Sequence, residues 1–298
     1  MNSNLLSLVK EVREKTGVSL ALCKKTIEDL LKKGFDPSLQ DCIDELRKAG
    51  TSVATKKAGR DMSNGHLFVV KRSNICTILS LSCETDFVAN SDGFYKAIME
   101  IKKCISLKNE AIKSSEDLRE VKMLDGKTIS EFINYQIALF GENISIDLVR
   151  EYNLINNQSI FFYTHGKNQN GFEFECGSSI TNVIIKHNSD NLESIEKIGR
   201  SLAMHIFAAK PIAVSDDKVP TEKIEKEKEI IKEQLVGIDK PENVIEKMAT
   251  GKLKKFFDEN VLLRQSLVTD PSQTVEQFIE KNKKELSCEM SIVDFAIN

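Results

Sequence analysis

The stretch Ser82-Cys83-Glu84-Thr85-Asp86-Phe87-Val88-Ala89-Asn90 lies where a predicted β-strand gives way to a predicted helix. The apolar run of residues 75–81 before it is short and alternating, which predicts the strand. The apolar residues after it repeat at helical spacing: Phe94, Ile98, Ile101 and Ile105. The stretch is therefore a connection that brings an acidic side chain and a phenyl ring together. Connections of this kind run over the surface and often carry function.

Two interpretations of Asp86 and Phe87 are open from the residues alone. In the first, the ring of Phe87 folds back into the core, as phenylalanine usually does, and Asp86 caps the following helix. In the second, both side chains stay at the surface and form a contact site. The position of the ring, buried or exposed, separates the two interpretations.

Composition excludes several classes of function. A chain of 298 residues predicts two or three compact units. A net charge of −3 gives no overall basic field of the kind that nucleic-acid-binding proteins use, so we expect no direct contact with nucleic acid. No apolar run approaches the roughly 18 residues that span a bilayer, and no secretory signal opens the chain. We therefore expect a soluble cytoplasmic protein without membrane contact.

The chemistry-bearing residues predict neither an active site nor a metal site. The seven cysteines include no Cys-x-x-Cys pair, and their odd number without a signal peptide indicates reduced thiols. The four histidines lie far apart, and no phosphate-binding loop or hydrolase motif is present. We expect no enzyme activity, no catalytic residues, no metal and no cofactor. A cysteine-dependent enzyme using Cys83 and His165 is a rival hypothesis, although no motif brings these two residues together.

The first 50 residues predict a module of three short helices. The first helix carries an apolar stripe and ends at Thr16-Gly17, and Ser19 is the predicted cap of the second, which closes at Gly34. Asp36-Pro37 is the predicted start of the third helix. Three helices with so small a core are typical of a ubiquitin-associated (UBA) module, which is marginally stable alone. A UBA-type adaptor that binds peptides or ubiquitin is therefore an alternative function.

The remaining chain predicts an α+β core with a projecting helical hairpin. Strands at 66–71 and 75–82 with a helix at 90–107 are echoed by strands at 159–164 and 180–186 with a helix at 191–209. A capping box opens a further helix at Thr128, another helix begins at Asp270-Pro271, and residues 286–297 form a last strand. The predicted domains are 1–50 UBA-like, 51–64 a basic linker with a solvated cluster at 56–60, 65–143 the first core subdomain, 144–215 and 263–298 the second, and 216–262 the hairpin.

Several motifs together resemble the elongation factor Ts family. Thr85-Asp86-Phe87-Val88-Ala89 is similar to the signature of that family. The other similar segments follow in the family's order: Leu8 to Gly17 with Cys23-Lys24-Lys25, Gly141-Glu142-Asn143-Ile144, Phe162 to Gly166, and Met204-His205-Ile206. Two segments depart from the family's pattern, namely Leu20-Ala21-Leu22 in place of a Met-Met-Asp run and Asp147-Leu148 in place of paired arginines. The chain also stops before a terminal helix that many members have.

The resemblance implies a guanine-nucleotide exchange factor for elongation factor Tu, present as a monomer or weak homodimer. In the family, the Asp-Phe pair is wedged between helices of the partner near its Mg²⁺ site. Asp86 would then perturb the polar surroundings of the metal, while Phe87 supplies a stiff apolar wedge. The implied partner-binding residues are Thr85, Asp86, Phe87, Val88 and Ala89 in the wedge, and Leu8, Val9, Arg13, Lys24, His165 and Gly166 elsewhere.

Overall fold

A computed structural model describes residues 3–16, 18–46, 57, 59–166, 174–238 and 241–298. The chain is a mixed α/β protein with small antiparallel sheets, which confirms the predicted fold class at this level. It divides into two compact units. The first comprises residues 1–153 and 166–178, and the second comprises residues 154–165 and 179–298.

The elements are numbered in chain order. The helices are α1 (Ser3–Thr16), α2 (Leu20–Lys32), α3 (39–46), α4 (Asp86–Ala89), α5 (Asp92–Ser106), α6 (Ser115–Glu120), α7 (Ile129–Phe140), α8 (Leu192–Ala209), α9 (Thr221–Leu235), α10 (Glu242–Asn260) and α11 (Val275–Leu286). The strands are β1 (Asn64–Arg72), β2 (Ile75–Cys83), β3 (Ile144–Asn153), β4 (Gln158–His165), β5 (Cys176–Gly177), β6 (Ser179–His187), β7 (Ser266–Leu267), β8 (Asp270–Thr274) and β9 (Met290–Ile297).

The three N-terminal helices pack around a small core of their own. Ser19 caps α2, as predicted, with its hydroxyl accepting the amide of Leu22. The predicted start of α3 at Asp36-Pro37 is wrong, because the cap is formed two residues later. Ser38 and Asp41 bond each other's amides through their side chains at 2.9 and 3.2 Å, which begins the helix at residue 39. That this module is of the UBA type stays a prediction.

The first unit contains an antiparallel sheet in the order β3-β2-β1-β5, with α5 and α7 against one face. Along β2, Leu79, Leu81 and Cys83 face the core, which holds the fully buried ring of Phe94. The N-terminal module contacts α7 through Tyr135, whose hydroxyl donates to the carbonyl of Thr16 at 2.9 Å. The strand β3 was not predicted, and it pairs with β2 in this sheet. The subdomain boundary predicted after residue 143 therefore lies after residue 153 by strand pairing.

The second unit contains a three-stranded sheet in the order β4-β6-β9, packed on α8. The last strand lies within the predicted range, but the helix predicted from Asp270-Pro271 begins later. Residues 270–274 pair as β8 with β7, and Thr274 then forms a capping box with Gln277 at the start of α11. The strand pairing and the later cap therefore decide where this helix begins.

The predicted hairpin is formed by α9 and α10, with residues 239 and 240 outside the described part of the chain. Ile231 and Leu235 of α9 are buried, whereas no described side chain of α10 is fully buried. At the hairpin's base, Val261 is completely buried and bridges to Ala213. The predicted hairpin of 216–262 therefore includes residues that belong to the core of the second unit.

Candidate functional site

The motif around Phe87 folds as a single helical turn between β2 and α5. Thr85 is the N-cap of this turn, α4, because its hydroxyl accepts the amide of Val88 at 3.3 Å. Asp86 occupies the first turn, where a negative charge is favourable. Ser91 then caps α5 by accepting the amide of Phe94 at 3.3 Å. Two caps six residues apart thus fix both ends of the turn.

The ring of Phe87 projects into solvent and is 85% exposed. It is the most exposed large hydrophobic side chain in the part of the chain that the structure describes. Leaving a phenyl ring in water forgoes about 1.5–3 kcal/mol of burial free energy. Its neighbours Val88 and Ala89 are buried in the core of the first unit, and they attach the turn to that core. The interpretation that Phe87 packs in the core is wrong, and the helix that follows, α5, is capped by Ser91 instead of Asp86.

Glu142 and Glu84 hold this turn to the loop that follows α7. The amide of Thr85 donates to one carboxylate oxygen of Glu142 at 3.0 Å, and its hydroxyl donates to the other at 2.7 Å. Glu84 accepts the amide of Asn143 at 2.6 Å. This amide, together with the guanidinium of Arg60, lowers the pKa of the Glu84 carboxyl. The segments Glu84-Thr85 and Glu142-Asn143, far apart in sequence, therefore form one hydrogen-bonded unit, here called the platform.

The described basic residues of the predicted linker also join the platform. Lys57 donates to the carbonyl of Gly141, and Arg60 forms an ion pair with Glu84 at 3.3 Å. The carbonyl of Arg60 accepts the side-chain amide of Asn143 at 3.1 Å. Lys56 and Ala58 of the cluster lie outside the described residues. The side chain of Arg60 is 55% exposed, as expected for a solvated cluster, but both Lys57 and Arg60 also bond to the platform.

A buried histidine and a buried thiol support the turn from inside. Nε2 of His66 lies 3.0 Å from the carbonyl of Ala89 and 2.7 Å from the hydroxyl of Tyr95. A carbonyl only accepts, so the ring carries its proton on Nε2. Burial lowers the pKa of His66, which keeps the ring neutral. The thiol of Cys83 donates to the carbonyl of Thr85 at 3.2 Å, and burial raises its pKa to about 11.

The protonated, buried state of Cys83 bears on the rival hypothesis of a cysteine-dependent enzyme. A thiol attacks as its thiolate, so a raised pKa makes Cys83 a poor nucleophile. Six of the seven cysteines are buried, and Cys288 is half-buried. Among the described residues, no three histidine, cysteine, aspartate or glutamate side chains are grouped so that they could hold a metal ion. In the same part of the chain, no helix is long and apolar enough to cross a bilayer.

His165 and Gly166 lie at the end of β4 and just after it. The imidazole of His165 is exposed and stacks on the ring of Phe207 in α8, with 4.8 Å between ring centroids and 25° between planes. Gly166 has a φ of 65°, and a Cβ there would lie 2.4 Å from the hydroxyl of Ser178. A side chain at this position would be strained by the positive φ and would require the hydroxyl of Ser178 to move. His165 belongs to the second unit, whereas Phe87 belongs to the first.

The four N-terminal residues of the predicted site differ in exposure. Arg13 is exposed, Leu8 is half-buried, and Lys24 pairs loosely with Glu28 at 3.7 Å. Val9 is only 2% exposed and packs in the core of the helical module, so its side chain offers no surface to a partner. Sequence reasoning also missed Glu142, Glu84 and Arg60 as supports of the turn. The motif that contains Glu142 was visible, but its contact with Thr85 was not.

Comparison with known proteins agrees with the resemblance of the motifs. The family model for Elongation factor TS matches residues 84–297. The chain is 32% identical over 291 residues to the elongation factor Ts of Orientia tsutsugamushi (strain Boryong), covering 98% of this chain and 90% of that protein. It is 33% identical over 293 residues to the elongation factor Ts of Caulobacter sp. (strain K31), covering 97% and 89%. It is 32% identical to that of Syntrophotalea carbinolica, covering 96% and 89%. The chain therefore belongs to the elongation factor Ts family of translation elongation factors.

Proposed function

We propose that this protein is a guanine-nucleotide exchange factor for elongation factor Tu, acting in polypeptide elongation. It would bind the GDP-bound GTPase and promote GDP release, without catalysing a chemical reaction itself. The observation that carries this proposal is the ring of Phe87, 85% exposed on a turn that is hydrogen-bonded at both ends. An exposed aromatic ring on a rigid base is the kind of anchor that dominates protein–protein binding.

The proposed mechanism weakens the partner's hold on the nucleotide phosphates. GTPases of this class bind phosphates through backbone N–H groups, a P-loop lysine and Mg²⁺. Phe87 would enter between helices of the partner, and Asp86 would disturb the polar surroundings of the partner's Mg²⁺. The bonds from Thr85 to Glu142 keep the turn from yielding when the ring is pressed into the partner. If the turn had to change conformation on binding, the free-energy cost of that change would weaken the complex.

His165 would act on a second face of the partner. Its contacts would favour a flip of a P-loop peptide, so that an amide donor turns away and a carbonyl faces the phosphate. Stacking on Phe207 limits the orientations that the imidazole can take. By linkage, the factor lowers the affinity of the GTPase for nucleotide by a certain free energy, and nucleotide lowers the affinity of the GTPase for the factor by the same amount. Abundant GTP would therefore displace the factor after GDP has left.

The N-terminal helices would mainly supply affinity. Along α2, Leu20, Lys24 and Leu31 follow one another at spacings of four and seven residues, which places them on one face of the helix. Leu20 and Leu31 are both more than 40% exposed. We propose that this face, with Leu8 and Arg13 of α1, docks on the partner. The hairpin of α9 and α10 would add a further contact.

A peptide- or ubiquitin-binding adaptor is the second candidate, favoured by one observation. Phe35, in the turn between α2 and α3, is 62% exposed close in sequence to Leu31. Exposed apolar residues such as Phe35 and Leu31 are also what a helical module would use to bind a peptide or ubiquitin. That function would leave the exposed Phe87 without a role.

Release of a fluorescent GDP analogue from elongation factor Tu tests the proposed function. We expect the protein to accelerate release in proportion to its concentration until the complex saturates. Ubiquitin and unrelated peptides should show no binding in the same concentration range. An unchanged release rate, together with measurable ubiquitin binding, would replace the exchange factor by the adaptor.

A further inference from the structure

A hollow of about 480 Å³ lies beside the exposed turn in the first unit. The turn side of the hollow is formed by Asp86, Ala89 and Asn90. Its floor is formed by the small residues Gly65, Ser80 and Ser82 of β1 and β2. The hollow thus lies directly next to Phe87, on the side of Asp86.

The sequence of the two strands creates this hollow. Ser80 and Ser82 alternate with the inward-facing apolar residues of β2, so their short side chains point to the opposite face. Gly65 pairs with Ser82 across the sheet and has a φ of 140°. A Cβ on Gly65 would lie 2.2 Å from the carbonyl oxygen of Leu81, so a side chain is excluded there. No residue of the floor is large enough to fill the space above it.

Asp86 gives the hollow a negative charge that nothing described in this chain neutralises. The neighbouring carboxylates Glu84 and Glu142 are both used to build the platform. Asp86, by contrast, makes no side-chain hydrogen bond or ion pair within the described ranges. Among the described residues that line the hollow, the other titratable one is His66, which burial keeps neutral. None of these described lining residues is a lysine or an arginine.

The hydroxyls on the floor add further acceptors. Those of Ser80 and Ser82 have no hydrogen-bond partner among the described residues. Insertion of Phe87 into a partner would remove water from the adjacent carboxylate, and an ionised carboxylate without water requires a compensating charge. A cationic side chain meets this requirement, because an ammonium or guanidinium group donates to a carboxylate and to hydroxyl oxygens together.

We propose that the hollow beside Asp86 receives a lysine or arginine side chain of the partner GTPase. This inference rests on the proposed exchange function and gives Asp86 a specific binding role within it. The apolar anchor Phe87 and the charged recess are adjacent, so one basic residue of the partner would sit next to the pocket that takes the ring. Such a pair fixes the register of docking in addition to its affinity.

Double-mutant cycles with elongation factor Tu test this proposal. Asp86→Asn keeps the shape of the side chain and removes its charge, and each surface lysine and arginine of the partner is replaced by alanine in turn. We expect Asp86→Asn to weaken the complex at least about tenfold, since close interfacial charge pairs couple strongly. Replacing one particular basic residue of the partner with alanine should weaken the complex by a similar factor. Combining that replacement with Asp86→Asn should weaken it no further. Thermal unfolding of Asp86→Asn should lie close to that of the parent, because the carboxylate has no internal partner to lose and only its favourable charge at the start of a one-turn helix is removed.

Ser82→Leu tests the hollow without touching the carboxylate. A leucine there would occupy the space, so we expect weaker binding, whereas Ser106→Leu at the end of α5, outside the hollow, should bind as the parent does. If no basic residue couples to Asp86 and Ser82→Leu binds normally, while Phe87→Ala still abolishes exchange, the hollow is empty in the complex and this inference is overturned alone. If the parent protein fails to release GDP, both the proposed function and this inference fall.

Discussion

Thr85 is bound twice by Glu142, a residue 57 positions further along the chain: its amide and its hydroxyl donate to the two oxygens of one carboxylate. The same hydroxyl accepts the amide of Val88 and so caps the turn. Glu142 thereby fixes the cap, and the cap fixes the direction in which Phe87 leaves the surface. The loop after α7 thus supports the proposed contact site, although in the proposal it does not touch the partner itself.

Glu142→Ala should reduce exchange while Phe87 itself is intact. The change removes both acceptors of Thr85, and each lost hydrogen bond of this kind is worth about 0.5–1.5 kcal/mol. We expect the fold to persist, the amide of Thr85 to exchange faster with deuterium, and stimulated GDP release to slow. Glu116→Ala is the matched control, since that side chain is 80% exposed and lies 4.0 Å from its nearest basic partner. Equal exchange rates for the two variants would show that the platform does not position the ring.

Acid should weaken the second unit through His205. In the buried ring of His205, Nε2 lies 3.0 Å from the side-chain oxygen of Gln265, and Nδ1 accepts the amide of Val268 at 3.2 Å. This geometry requires the neutral ring, and burial lowers its pKa. The unfolded chain, with a histidine pKa of about 6.5, therefore takes up the proton first as the pH falls. Stability is fully present above about pH 6.5 and is lost as the pH falls through the folded pKa.

Urea unfolding at pH 7.5 and pH 5.5 measures this dependence. Burial also lowers the pKa of His66, so the parent should lose stability through both rings as the pH falls. His205→Gln removes one of them and should lose less stability between the two pH values than the parent does. An identical loss in the variant would mean that His205 is not responsible for the acid sensitivity.

Deletion of residues 1–50 should weaken binding and leave the rest of the chain folded. In the described residues, the module contacts α7 mainly through Tyr135 and Leu139. We expect circular dichroism of the truncated protein to retain a cooperative melt, with affinity for the partner reduced by about tenfold or more, equivalent to 1.4 kcal/mol. Tyr135→Phe is a milder test, because it removes only the bond to Thr16. A collapsed core would contradict the predicted domain boundary, and unchanged affinity would contradict the docking role.

Excision of the hairpin should preserve the second unit only if its base is kept. Val261 is completely buried and bridges to Ala213, and Arg264 pairs with Asp216. Replacing residues 221–260 with a short Gly-Ser bridge should therefore leave a folded protein with weaker partner binding. Removing 216–262 should destabilise it. Sedimentation should show the parent as a monomer at micromolar concentration, whereas a dimer that dissociates on excision with unchanged partner affinity would assign the hairpin to self-association.

Local sequence patterns predicted most elements of this fold. The caps of α2 and α7 and the strands β1 and β2 depend on residues that are neighbours in sequence, so their signals are visible there. The strand β3 was missed because its outer half is exposed and its pairing with β2 spans about 70 residues. The start of α11 was misplaced because Asp270-Pro271 resembles a helix start, whereas pairing with β7 makes the segment a strand.

The candidate site was predictable only in part. The resemblance of residues 85–89 drew attention to Phe87, and its exposure then excluded burial in the core. The supports of the turn were not predictable, because the hydrogen bonds of Glu142 and Glu84 join segments almost 60 residues apart. A carboxylate that binds a distant amide has the same local sequence as one that faces water. Likewise, the burial of Val9 depends on how three helices pack together.

Two phenylalanines seven residues apart provide the most direct test of the central claim, that an exposed ring drives nucleotide release. Phe87 is 85% exposed, whereas Phe94 is completely buried. Phe94→Ala should cost about 3–5 kcal/mol of folding free energy, as large-to-small changes in a core do. Phe87→Ala should leave the unfolding free energy unchanged.

The decisive measurement is the rate of GDP release from elongation factor Tu with the folded Phe87→Ala variant. The account predicts a loss of about 2 kcal/mol or more of interface free energy, seen as a strongly slowed release. A Phe87→Ala variant that unfolds, or that releases GDP at the parent rate, would contradict it.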